Sequence, residues 1–336
     1  MTASPAQGSV VSTSPARGRT ALALALSVAL LVAAVLLSLL FGEVDSAWSV
    51  ILSVRLPRVL LGVVAGAGLS AVGVALQALL RNPLAEPYVL GVSGGSALGA
   101  VIVISLGLTE LTFVGASLIP VAALVGGLLA TGIVYALASQ GRGNATSLLL
   151  SGVIVNAIAS AAITFIKTLV TAGTAQEMLY WLMGFLDAPS TTSLAFVSVY
   201  VALGLGVLLL DAGKLNLLAL GPSAAENLGL DVRALSLRTL LACSLIVGAI
   251  TSASGMIGFI GLIVPHAVRR IAGPDIRVVM PASIIGGGAT LVICDLVSRL
   301  GFRLLERQTP VGAVTALIGG PLFLVILWRS RARMSS

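Results

Sequence analysis

The chain has 336 residues, of which 58% are hydrophobic and 9% charged, and its mean hydropathy is +1.12; soluble domains carry about a quarter charged residues, so a water-soluble globular class is excluded. The apolar runs are continuous rather than alternating, which excludes a membrane β-barrel. A net charge of +7 would point to nucleic acid in a soluble domain, but here the basic residues stand in short connectors between apolar runs, where they report membrane orientation.

Residues 1–20 are Ser, Thr, Pro, Gly and Ala with Arg17 and Arg19, a composition that cannot bury a core and is expected to be a disordered N-terminus. The run 21–41 exceeds the length of a signal-peptide core and lacks a small-residue cleavage site, so it reads as an uncleaved first span. Breaks at Pro, Gly and charge then place spans near 59–80, 92–108, 113–138, 147–170, 192–210, 237–253, 256–270, 279–300 and 312–328. The run 256–270 is short and is preceded by Gly255. The expected fold is an all-α integral membrane protein of about ten transmembrane helices. It forms one domain over 21–328, with its longest connector at 211–238 and a tail at 329–336.

An even number of spans puts both termini on one side. Thirteen of the 19 basic residues, from Arg17 and Arg19 to Arg329, Arg331 and Arg333, fall on that side. The six opposite are Arg55, Arg58, Lys167, Arg299, Arg303 and Arg307, so both termini are expected in the cytoplasm. Gly62 and Gly66, and Gly91, Gly95 and Gly99, recur every four residues, a spacing that lets helices pack closely in lipid. Cys243 and Cys294 stand singly in apolar runs and indicate neither a disulfide nor a metal site.

Gly91 to Gly99 is glycine-rich, but no Gly-Lys-Ser/Thr follows and no strand precedes it, so this chain is not expected to bind ATP. An ATPase driving transport would be a separate polypeptide docking on the cytoplasmic face. The connector 211–238 is the candidate surface: Pro222 can open a short helix, Gly229 can end it, and Leu220 and Leu228 bracket it. On the opposite face, Arg55 and Arg58 precede the second span, and Arg299, Arg303 and Arg307 follow the ninth. Such a cluster suits carboxylate partners or snorkelling to head groups. Asp295 has Arg299 one helical turn on and is expected to pair with it. Lys167 can snorkel, and His266, the single histidine, reads as structural. Asn156 and Thr164, eight residues apart, are candidates to share a face of the fifth span and line a pathway.

Four ordered blocks carry a resemblance. Arg55-Leu-Pro-Arg58 leads through a glycine-studded span to Arg81-Asn-Pro-Leu-Ala-Glu-Pro87 and on to Ser96. Leu220-Gly221 is followed by Ala225, Leu228, Gly229 and Leu230. Gly258-Phe-Ile-Gly-Leu-Ile-Val-Pro-His266 runs on to Arg270, and Thr309-Pro-Val-Gly opens the last span. Together they resemble the FecCD-type permease subunits of ATP-driven importers for iron-siderophores, haem and vitamin B12. The resemblance implies a bundle in a bacterial cell membrane, like that of the vitamin B12 importer permease. Its implied partners are a second permease subunit in a homo- or heterodimer, two ATPase subunits carrying ATP and Mg, and an extracytoplasmic substrate-binding protein. No cofactor on this chain and no covalent step are implied. Arg55, Arg58 and Arg299 match positions that grip the binding protein. Leu220, Gly221, Ala225, Glu226, Leu228 and Gly229 match the loop that couples to the ATPase. The fifth span would line the pore, with Asn144 and Thr146 near the cytoplasmic gate and Asn156 and Thr164 further along. Pro222 and Gln308 depart from the family's acidic residues at those places. An iron-siderophore is the substrate implied first, with haem and cobalamin behind it. The competing class, an ion-coupled transporter, requires acidic groups or broken helices in the middle of the membrane. From the sequence, Asp295 is the one arguable acid.

Overall fold

The structure, a computed structural model, describes residues 14–41, 48–108, 112–113, 116–140, 145–305 and 309–334. Each expected apolar segment forms a helix. These are α1 (Ser14–Leu40), α3 (Leu56–Leu79), α4 (Val92–Ser105), α5 (Leu118–Gln140), α6 (Ala145–Leu169), α8 (Thr191–Ala219), α10 (Val232–Ser254), α11 (Ile260–Ala272), α12 (Ile276–Leu305) and α13 (Val311–Met334). A short turn, α2 (Trp48–Val50), and a π-turn over Ile51–Arg55 lead without a break into α3. Among the described residues, seven helices are long and apolar enough to cross a membrane, and Val92–Ser105 and Val311–Val325 are shorter apolar helices.

Several expectations are corrected. Helix α1 starts at Ser14, inside the segment expected to be disordered, and α13 runs through Met334, so the expected tail is largely helical. The connector 211–238 is mostly absorbed by α8 and α10, leaving 220–231 around the short helix α9 (Pro222–Asn227). An unexpected helix, α7 (Ala172–Met183), follows α6. Its Thr171 hydroxyl accepts the Thr174 N–H at 3.3 Å, a polar cap on a segment too mixed to register as a span. Two antiparallel strands, β1 (Thr112–Phe113) and β2 (Ala116–Ser117), are the one departure from helix among the described elements.

Helix α3 is the centre of the bundle: 83% of its apolar window is buried, against 17% for α6 at the periphery. Glycine makes that density possible, because backbones touch where a side chain would stand. A Cβ on Gly66 would overlap the Gly287 carbonyl oxygen of α12, and one on Gly73 would overlap that of Gly261 in α11. Gly95 meets the Gly126 carbonyl of α5 in the same way. The four-residue glycine spacing is therefore spent inside one subunit.

Two helices are too short to cross. With 14 and 13 residues, α4 and α11 extend about 20 Å each, less than the roughly 30 Å hydrocarbon core. The irregular segments that precede them, Glu86–Gly91 and Gly255–Phe259, lie against each other inside the bundle: a Cβ on Gly258 would sit 3.5 Å from both Glu86 Oε1 and the Tyr88 ring.

Candidate functional site

This central junction holds a set of engaged polar groups. Glu86 Oε1 accepts the backbone N–H of Phe259, the residue that precedes α11, so a carboxylate caps the positive end of a short helix. Phe259 sits at φ +69, a conformation costly for a residue with a Cβ, and its ring covers Gly319 of α13. Gln77 donates to the Gly261 carbonyl at 3.1 Å and accepts from Arg269. Glu86 lies in the connector between the α3 and α4 spans. Burial pushes its carboxyl above the ordinary carboxylate range, opposed by the Phe259 N–H.

Asn156 of α6 reaches into this junction. Its side-chain amide donates to the Tyr88 carbonyl, and its oxygen accepts the Gly94 N–H at 3.2 Å, so α6 holds both sides of the turn at Gly91. Thr164 is exposed and donates to Ser160 O at 2.9 Å. Asn156, half-buried, thus satisfies irregular backbone with its amide, whereas Thr164 is exposed two turns further along the same helix. Thr146 is exposed at the start of α6. Asn144, Arg307 and Gln308 lie outside the described residues.

At one end of the bundle three arginines converge, and they turn inward. Asp295 takes Arg58 Nη2 at 2.9 Å on one oxygen and Arg299 Nε at 3.0 Å on the other, so the expected Asp295–Arg299 pair forms and gains a second partner. Arg299 also donates to Ser38 of α1. Arg55 donates to Leu39 O at 2.8 Å and Leu40 O at 3.3 Å, covering carbonyls that the end of α1 leaves unpaired. Arg55 and Arg299 are buried, and Arg58 keeps 14% of its side chain exposed. The outward cluster expected of these three guanidinium groups is therefore corrected to a buried charge knot joining α1, α3 and α12.

At the other end, α9 forms a small raised platform. Pro222 occupies its first turn, Gly221 and Gly229 adopt φ +123 and +82, and the Leu230 N–H returns to Ala225 O at 3.0 Å, closing the helix as expected. Ala225 is the buried pin. Glu226 is exposed, and Leu220 and Leu228 are exposed by 67% and 63%. Two uncovered leucines on a rigid, exposed turn are suited to a protein partner.

A helical bundle with an apolar exterior and a packed centre is the architecture of an integral membrane protein. The chain belongs to the FecCD transport family, which matches residues 19–329. It is 38% identical over 293 residues to the hemin transport system permease protein HmuU of Yersinia pestis, covering 87% of this chain and 86% of the relative. It is 40% identical over 289 residues to the cobalamin import system permease protein BtuC of Halobacterium salinarum, covering 85% and 75%. A solved structure described as an inward-facing conformation of a metal-chelate type ABC transporter superposes with a TM-score of 0.82 at 30% identity, covering 92% of this chain and 99% of that one. The chain is thus the permease component of an ATP-binding-cassette importer, and not itself an enzyme.

Proposed function

We propose that the chain translocates an iron chelate, foremost a ferric siderophore, into the cytoplasm by alternating access. The observation that carries this reading is chemical: hemin and cobalamin, named for two relatives, are both metals held in an organic ligand, as is a metal chelate. The importer comprises two permease subunits and two ATPase subunits that bind ATP and Mg, with an extracytoplasmic binding protein delivering the chelate. Both termini and α9 face the cytoplasm, in keeping with the excess of basic residues on that side. Leu220, Leu228 and Glu226 meet the ATPase, with Gly221, Ala225 and Gly229 fixing the shape of the platform. Thr146 stands at the gate, and Thr164 lines the pathway.

Docking of the binding protein falls at the arginine end. Arg58 is the group there with reach to a partner carboxylate, while Arg55 and Arg299 hold α1 and α12 beneath it. Short helices meeting inside the bundle are a feature of ion-coupled transporters, but here the carboxylate at the junction is engaged by Phe259, and the likeness to an ABC transporter supports ATP as the energy source.

Reconstitution of the chain with its ATPase and binding protein in vesicles tests the reading. ATP-dependent accumulation of a radiolabelled ferric siderophore is expected. Uptake driven by an ion gradient without ATP would overturn the mechanism, and uptake of hemin or cobalamin in its place would overturn the substrate.

A further inference from the structure

The flank of the bundle beside α9 carries a basic arc at the end of an exposed apolar stripe, which docking to an ATPase leaves unexplained. Leu203, Val207, Leu210 and Lys214 recur every three or four residues along α8, so they share one face of it. That face is uncovered: Leu210 is 84% exposed and the Lys214 side chain 45%. From Leu194 to Lys214 the helix rises about 30 Å, the thickness of the hydrocarbon core. Lys214 is the first charged residue on that face, near the end of α8 that leads to α9.

Cations from two other helices flank it. Arg238 of α10 and Lys214 share the buried Asp211 carboxylate, at 3.3 and 2.9 Å, which fixes both side chains while leaving each about half exposed. On the other flank, Arg277 of α12 lies across Gly213, where a Cβ would meet its guanidinium at 3.0 Å, so the glycine makes room for the arginine. Asp275 also lies here, accepting from Asn216 at 2.6 Å and from the Arg277 N–H at 2.9 Å. Lys214, Arg238 and Arg277 thus bring three positive charges to a flank where the contacts shown engage the carboxylates of Asp211 and Asp275.

We propose that Lys214, Arg238 and Arg277 bind the phosphate head group of an anionic phospholipid whose acyl chains lie along Leu203, Val207 and Leu210. Guanidinium and ammonium groups donate charge-assisted hydrogen bonds to phosphate, and the adjoining leucines select a lipid over a free phosphate. Asp211 acts as the positioning residue, holding two of the cations at the edge of the stripe.

The test is native mass spectrometry of the detergent-solubilised full chain, titrated with phosphatidylglycerol or phosphatidylcholine of matched acyl length. One phosphatidylglycerol is expected to remain bound under activation that strips phosphatidylcholine. The K214Q/R277Q variant should bind it roughly 25-fold more weakly, about fivefold for each cation removed. Both substituted side chains reach the surface, and an unchanged melting temperature without added lipid certifies the fold. Equal retention of the two lipids by the unsubstituted chain, or undiminished phosphatidylglycerol binding by the variant, overturns the proposal. So does displacement of the lipid by millimolar glycerol phosphate, which would make this a soluble-anion site.

Discussion

Arg58 and Asp295, 237 residues apart in sequence, meet in a part-buried ion pair at 2.9 Å, and Arg299 takes the other oxygen of the same carboxylate. A carboxylate bracketed by two guanidinium groups offsets part of the desolvation of all three, and removing it strands two cations. Asp295→Ala should therefore cost about 3–5 kcal/mol. A thermal unfolding midpoint equal to that of the unsubstituted chain would show that the knot contributes nothing.

The arginines should separate by function. Arg58→Gln is expected to weaken capture of the binding protein, since Arg58 alone of the three keeps exposure at that end. Arg299→Gln should lower thermal stability instead, because its buried bonds to Ser38 and Asp295 are lost. Pull-down and melting measurements on both variants distinguish these roles, and identical behaviour of the pair would refute the division.

Leu220→Asp and Leu228→Asp are expected to reduce association with the ATPase, while leaving the fold within about 0.5 kcal/mol because both side chains are exposed. Ala225→Leu acts oppositely on stability, since Ala225 is fully buried. Co-purification of the ATPase at undiminished yield with either aspartate variant would remove α9 as the docking platform.

Gly73→Ala drives a Cβ into the Gly261 carbonyl oxygen and should cost at least about 1–3 kcal/mol by forcing α3 and α11 apart. Gly206→Ala, where nothing lies within 4 Å, should be neutral or stabilising by up to about 1 kcal/mol. Equal melting temperatures for these two variants would contradict the backbone contacts described.

Glu86 supplies a pH dependence. Burial raises its carboxyl above the ordinary 4.5, so the folded chain holds that proton more tightly than the unfolded one. The contribution is fully present below the ordinary value and is lost as pH rises through the raised one. Glu86→Gln keeps an oxygen for the Phe259 N–H and should flatten that decline, whereas Glu86→Ala leaves a buried donor unpaired at about 1–3 kcal/mol. Melting curves across acidic pH that are superimposable for the Glu86→Gln variant and the unsubstituted chain would exclude Glu86 as the source.

The sequence by itself determined the class of molecule and where its helices run. An apolar run long enough to cross a membrane has few alternatives to helix, because its backbone must satisfy its own hydrogen bonds. Pro222 and Gly229 likewise marked the ends of α9 through local backbone geometry alone. What only the tertiary structure decided is which polar groups meet. Arg55, Arg58 and Arg299 looked like an external cluster because sequence gives depth along a helix but not direction around it. Glu86 and Phe259, and Asn156 and Tyr88, are joined across distant stretches of chain. No local pattern announces such pairs: irregular backbone buried between helices must find donors and acceptors wherever the packing brings them.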